Sequence, residues 1–213
     1  YPVAEQMQIK YVDQKETLGI AHALGTLESR VDGAALMFLG DIYFITDRLG
    51  EMLRIYEASE VGAVLAVKVE DDPAAVSRNF AVFENEQGFV TRVIEKPRHA
   101  RTKLKGCGLY LFGPEIFDAI RRTPRTAMRD EYEITDSIQI LIDDQIGVRT
   151  ARVIDDDLNL TVAGDLLSIN MAELERAGLD NLVAEGTDLP ATVKLDRCTV
   201  GRGVCFEGPA RLE

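Results

Sequence analysis

The chain of 213 residues has no tryptophan, only two histidines and only three cysteines. Cys107, Cys198 and Cys205 form neither a C-x-x-C pair nor a Cys/His cluster. An odd count without close spacing reads as reduced thiols in a cytoplasmic protein, each expected to behave as a buried small hydrophobe. No apolar run approaches the ~18–20 residues of a membrane span. No run of Lys or Arg is present, and the net charge is −12, which argues against generic nucleic-acid or anionic-membrane binding. A few local cations would still suffice for a phosphate ligand. The opening Tyr-Pro-Val-Ala-Glu is neither basic nor apolar, so it is no signal peptide. Methionine is also missing from the start, and the chain is expected to be a fragment of a longer protein.

What is present is an ordinary globular balance, 46% hydrophobic and 28% charged. Met7–Val12 alternates like a short strand. Leu18–Arg30 has helical spacing, with Thr17 as its N-cap. Ala34–Leu39 is a continuous apolar run, the mark of a strand buried on both faces. Thr46–Ser59 is an amphipathic helix and Gly62–Val69 a Val-rich strand. This alternation predicts a parallel α/β sheet. Phe80–Glu84 and Phe89–Glu95 then flank Asn85-Glu86-Gln87-Gly88 as a hairpin. Leu104–Phe112 is a strand, Pro114 opens a helix, Ile134–Asp144 is another helix and Val148–Ile154 a strand. Ala163–Ala177 is a helix stopped by Gly178. In the tail, Val200, Phe206 and Leu212 recur every six residues, the period of a hexapeptide β-helix.

Four segments carry chemistry. Phe38-Leu39-Gly40-Asp41 delivers a carboxylate to the end of an apolar strand, where open α/β sheets bind ligands. A lone carboxylate there suits Mg²⁺, which takes one or two carboxylates together with substrate phosphates. In Gln14-Lys15-Glu16-Thr17-Leu18-Gly19-Ile20-Ala21-His22-Ala23, Gly19 permits close backbone approach to a flat ligand, and the Gln14 amide can pair with a base edge. His22 lies inside the helix and reads as structural. Val93-Ile94-Glu95-Lys96-Pro97 ends a strand with an acid and a base, which alternation points at different parts of a ligand. Arg129-Asp130-Glu131-Tyr132-Glu133-Ile134-Thr135-Asp136 sets an arginine just before a helix start, and both features suit phosphate oxygens.

In this order and spacing, from about Met7 to Asn170, these segments resemble the sugar-1-phosphate nucleotidyltransferase family, in its glucose-1-phosphate thymidylyltransferase branch. The resemblance includes Gly108-Leu109-Tyr110-Leu111-Phe112 and Asp165-Leu166-Leu167-Ser168-Ile169-Asn170. It implies a three-layer, Rossmann-like nucleotide-diphospho-sugar transferase fold over 1–178, incomplete at its N-terminus. Residues 179–213 would be a linker and the start of a left-handed β-helix. The implied reaction moves a nucleotidyl group from dTTP or UTP to a sugar 1-phosphate and releases pyrophosphate, with Mg²⁺ as cofactor.

Carried over by position, Gln14 and Gly19 would hold the base, and Glu95 the sugar hydroxyls. Lys96 and Arg129 would face the sugar phosphate. Gly106 and Ala81 would lie along the sugar pocket, although the family's Tyr-Gly pair appears here as Phe80-Ala81. Asp41 would bind metal. The family's second metal carboxylate is replaced by Asn159, with Asp155, Asp156 or Asp157 as helpers. The family's glycine-rich triphosphate segment is expected before Tyr1, so the 213 residues alone are expected to be inactive. Hexapeptide helices often assemble, which leaves a homo-oligomer open. The alternatives are a non-catalytic, nucleotide-sugar-binding regulatory homologue, and an acyltransferase carried by a longer β-helix.

Overall fold

The structure is a computed structural model that describes residues 7–127, 129–178 and 181–212. It divides into two compact units, Tyr1–Asp157 and Leu158–Glu213. Leu179 and Asp180, where the sequence reading starts the linker, lie outside the described residues.

In the first unit the elements run α1 (Ile20–Gly25), β1 (Ala35–Phe38), β2 (Ile42–Ile45), α2 (Gly50–Ala58), β3 (Ala63–Val69) and α3 (Pro73–Arg78). They continue with β4 (Phe80–Glu84), β5 (Val90–Glu95), β6 (Leu104–Phe112), α4 (Glu115–Arg122), α5 (Ile134–Asp143) and β7 (Val148–Ala151). The main sheet is ordered β5-β4-β6-β3-β7, with β1 also paired to β6. β3 and β7 are parallel, but β6 runs antiparallel to β1, to β3 and to β4. The sheet is therefore mixed rather than parallel. The strand–helix alternation of the first third does reflect strands that share a direction. It could not reveal that a later strand, arriving after the hairpin, inserts between β1 and β3 with the opposite sense.

Each residue of β6 is buried, as a strand covered on both faces must be. Alternation along β3 divides the core. Ala63, Leu65 and Val67 join Tyr110 and Phe112 under α1, α4 and α5, with Leu24, Ile116, Ile138 and Leu141. Val64 and Ala66 join Leu109, Leu111, Ala151 and Met52 of α2 on the other face. Two helical layers around one sheet give the three-layer architecture that the resemblance implies. Of the cysteines only Cys107 is in this core; Cys198 is half-buried and Cys205 exposed. Burial, with the Asp157 carboxylate beside it, pushes the Cys107 thiol up to about 12, so it stays an inert thiol.

Local elements depart from the pattern where backbone contacts override it. Met7–Val12 forms no strand. The first helix shrinks to α1 plus a short 3₁₀ turn over Glu28–Arg30, and its N-cap is Gly19, not Thr17. β1 is not buried on both faces, since Leu36 and Phe38 are 46% and 62% exposed. Met37 points into the core, and no helix among the described residues covers the other face of β1.

β8 (Asp156–Asn159) follows β7 across the unit boundary. In the second unit, α6 (Ala163–Ala177) ends at Gly178, which takes the left-handed conformation expected of a glycine C-cap. Four short strands follow: β9 (Asn181–Val183), β10 (Val193–Leu195), β11 (Cys198–Val200) and β12 (Ala210–Leu212). β9 pairs in parallel with β11 and β10 with β12, at the same offset of seventeen positions in both cases. Of the three residues at the six-residue period, Val200 is buried, Phe206 half-buried and Leu212 exposed.

Gly106 shows how tightly β4 and β6 are fitted. A Cβ there would lie 1.8 Å from Cζ of Phe80, whose ring stacks on Tyr110. Gly106→Ala is therefore expected to destabilise the fold by roughly 1–3 kcal/mol, the usual penalty for overpacking. Combined with Phe80→Leu, it should cost less than the sum of the two single changes. Denaturant melts of the three variants measure both effects.

Candidate active site

Gln14 and Gly19 reach the site through a segment with little regular structure, so their placement rests on individual hydrogen bonds. Tyr132 donates its N–H to the Leu18 carbonyl at 2.7 Å, and Ala21 donates to the Tyr132 carbonyl at 3.1 Å. These two bonds clamp the entry of α1 to the segment ahead of α5. Gly19 sits between them at φ +101°, where any Cβ would approach the Tyr132 carbonyl oxygen to 2.6 Å. The close approach that demands glycine is made by the Tyr132 backbone.

A cleft of about 600 Å³ opens beside this clamp. Gln14, Gly19, Ile20 and Leu24 line one side, Met37, Phe38, Leu39 and Gly40 another, and Glu131 contributes a carboxylate. Thus the Gln14–Gly19 element and the end of β1 share one concavity, as the motif order implies. Next to Gly40, Asp41 is exposed in the turn that leaves β1. Among the described residues its carboxylate has neither a hydrogen-bond nor an ion-pair partner.

The E-K-P element forms a second cluster. Glu95 is the last residue of β5, opposite Phe80 in the sheet. Lys96 has left the strand: its backbone is left-handed at φ 39°, and its N–H bonds the Asn79 carbonyl. Strand alternation therefore does not set the direction of Lys96, because the turn into Pro97 begins at this residue. Lys96 is exposed, and its ammonium makes no ion pair among the described residues. Arg129 lies 2.9 Å from a Glu133 oxygen and 3.4 Å from a Glu95 oxygen. Glu133 is buried and is the N-cap residue of α5. The arginine and the helix start are thus brought together as expected, but two carboxylates already share the guanidinium. Burial raises the Glu95 carboxyl above the usual range, the Glu133 charge raises it further, and Lys96 and Arg129 oppose both.

Ala81 and Gly106 are adjacent in space, since β4 pairs with this part of β6. Ala81 has no exposed surface, and the Phe80 ring covers Gly106, so neither presents itself to a ligand here. The aspartates proposed as helpers are each paired: Asp155 with Arg48 at 2.5 Å, Asp156 with Lys68 at 2.5 Å and Asp157 with Lys105 at 2.6 Å. The last pair is buried, which holds both charges in place structurally. Asn159 ends β8 in the second unit and is exposed. Among the described residues, no group of three or more His, Cys, Asp or Glu could hold a metal by itself. No helix among them is long and apolar enough to cross a membrane.

Sequence reading treated His22 as structural and passed over Arg125. His22 Nδ1 lies 2.9 Å from Nε2 of Gln14, and the His22 ring stacks on Tyr132 at 6.2 Å. Arg125 in turn sits over the Tyr132 ring. A histidine eight positions after a glutamine, across the start of a helix, was the available signal for the first of these. Nothing in the sequence indicated the partner of Tyr132.

Residues 3–154 match the family model described as Nucleotidyl transferase, well over half of the chain. The chain belongs to that family. It is 35% identical over 147 residues to the UTP–glucose-1-phosphate uridylyltransferase AglF of Haloferax volcanii, covering 69% of this chain and 57% of that protein. It is 31% identical over 200 residues to a glucose-1-phosphate thymidylyltransferase of Streptomyces antibioticus, covering 92% of this chain and 54% of that one. It therefore spans about half the length of these curated relatives. Among solved structures, an unliganded UDP-glucose pyrophosphorylase superposes with a TM-score of 0.70 at 22% identity, covering 82% of this chain and 67% of that one. That likeness shows the fold of the nucleotide-diphospho-sugar transferases.

The Glu95 cluster has a measurable signature. Glu133→Gln removes a neighbouring negative charge and should lower the Glu95 pKa, whereas Arg129→Met should raise it. A carboxyl raised in the folded state favours folding when protonated. That contribution is present at low pH and is lost as pH rises through the raised value. Arg129→Met should thus steepen the loss of stability with rising pH, and Glu133→Gln should flatten it. Carbon-13 NMR titration of the glutamate carboxyls, with melts across the same pH range, measures both.

Proposed function

We propose that this chain carries the base- and sugar-binding parts of a sugar-1-phosphate nucleotidyltransferase, using dTTP or UTP and releasing pyrophosphate. The observation that carries the reading is the shared cleft of Gln14, Gly19 and the end of β1, with the exposed Asp41 carboxylate next to it in the chain. In the reaction, a phosphate oxygen of the sugar 1-phosphate attacks the α-phosphorus. A new P–O bond forms, the bond to pyrophosphate breaks, and no covalent protein intermediate is needed. Positioning and charge neutralisation then account for the rate.

Gln14 and Gly19 hold the base. Glu95 accepts a hydrogen bond from a sugar hydroxyl. Lys96, the unpaired cation of the second cluster, faces the acceptor phosphate. Arg129 fixes Glu95 and contributes the charge that its two acidic partners leave uncompensated. Asp41 fits a hard divalent cation, since Mg²⁺ is commonly held by one carboxylate plus phosphates and needs no protein cage. Such an ion would supply charge stabilisation at the α-phosphate. The two parallel strand pairs of the tail, at one common offset, support its reading as the first coils of a β-helix.

Pyrophosphate release, measured over a panel of triphosphates and sugar 1-phosphates, tests this assignment. The protein should be expressed with any sequence that precedes Tyr1. Asp41→Asn should cut turnover by orders of magnitude; unchanged turnover and unchanged Mg²⁺ dependence would reduce Asp41 to a turn residue. Glu95→Ala should lower the specificity constant for the sugar phosphate about ten- to a hundredfold, and Gln14→Ala should instead erode discrimination among bases. If the two variants exchange these effects, the pocket assignment is reversed. Nucleotide-sugar binding without any turnover would favour the regulatory reading.

A further inference from the structure

The Gln14 amide has two N–H donors and one carbonyl acceptor, and which of them faces a ligand decides what it can recognise. Both donors are engaged within the protein. Nε2 lies 3.2 Å from the Gly19 carbonyl oxygen and 2.9 Å from Nδ1 of His22. The Gly19 carbonyl can only accept. Nδ1 must therefore accept as well, which leaves Nε2 as the ring's N–H. Gln14 separates two concavities. His22 lines the smaller one with Gln14, whereas the larger cleft contains Gln14 and Gly19 but not His22. With both N–H donors committed to Gly19 and His22, the amide has only the carbonyl oxygen left for a ligand in the cleft.

We propose that His22 is a positioning residue that fixes Gln14 as a hydrogen-bond acceptor, and so selects bases with an imide N–H over bases whose ring nitrogen is itself an acceptor. This rests on the nucleobase assignment of the cleft. Uracil and thymine carry N3–H and meet the Gln14 oxygen as donors. Cytosine presents a bare N3 and would leave two acceptors opposed. To bind it, the amide would have to turn over, breaking both nitrogen contacts and setting its oxygen against the Gly19 carbonyl. Stacking on Tyr132 holds the imidazole, so the selection extends from the segment before α5 to the base.

The test uses the whole chain and two probes of equal shape and charge, uridine 5′-monophosphate and cytidine 5′-monophosphate, with calorimetry as the readout. The wild type should prefer the uridine nucleotide. His22→Phe keeps an aromatic ring against Tyr132 but lacks an acceptor, and should reduce that preference about tenfold, the effect of one misplaced polar contact in a closed site. His22→Asn puts an oxygen where Nδ1 lies and should restore it. If His22→Phe weakens both nucleotides equally, the histidine only supports the helix and the inference falls. If the folded wild type binds neither nucleotide, the nucleobase assignment itself fails and this inference with it. Independently of any ligand, nitrogen-15 NMR of the imidazole should show an unprotonated Nδ1 and a protonated Nε2 in the free chain. The opposite tautomer overturns the inference whatever the nucleotides do.

Discussion

The change of partner along β6 is the constraint on which the first unit depends. One edge of this strand is occupied along its length by β3, while the other is divided between β4 near Lys105 and Gly106 and β1 from Leu109 to Phe112. The division falls at Gly108, whose φ of +72° is open to glycine and strained for other residues. A Cβ there would lie 2.7 Å from the Ile42 side chain and 3.1 Å from that of Leu39. The Gly108 carbonyl also accepts the Leu39 N–H, which fixes the turn that presents Gly40 and Asp41. One backbone irregularity thus separates the β1 side, which ends at Asp41, from the β4–β5 side, which ends at Glu95.

Both clusters reach the segment ahead of α5 by different means. Tyr132 bonds the α1 entry through its backbone and holds His22 through its ring, whereas Glu133 and Arg129 engage Glu95. The run from Arg129 to Glu133 consequently links the Gln14–Gly19 element to the Glu95 cluster. Tyr132 and Glu133 are adjacent yet face different neighbours, so one segment can serve both.

Much of this was legible in the sequence, and the limits have physical causes. The helix from Ala163 to Ala177 and its glycine stop were readable because capping is local. The hairpin and the strand at Leu104–Phe112 were readable because turn chemistry and apolar runs are local too. The antiparallel insertion of β6 was not, since direction depends on a partner distant in the chain. Gln14 and Gly19 were found by motif, but the reason for the glycine lay in the Tyr132 backbone, which no spacing in the sequence reveals. Lys96 was assigned to a strand that stops one residue earlier. The aspartate run looked available to a metal because its cationic partners, Arg48, Lys68 and Lys105, are remote in sequence.

The antiparallel entry of β6 also bears on the order in which the molecule can assemble. β1 cannot pair until β6 exists, and the chain makes β2, α2, β3, α3, β4 and β5 between them. Closing so long a loop is entropically costly before any contact rewards it, which makes such pairings slow. The β4–β5 hairpin, by contrast, closes across a short turn. The hairpin can therefore take shape early on the folding path, while the cleft of Gln14 and Gly19, which needs β1 and its Leu39–Gly108 bond, waits on one of the distant pairings. Until β1 pairs, its apolar residues and the open edge of β6 lack their partner, and the chain is exposed to misassociation in that interval.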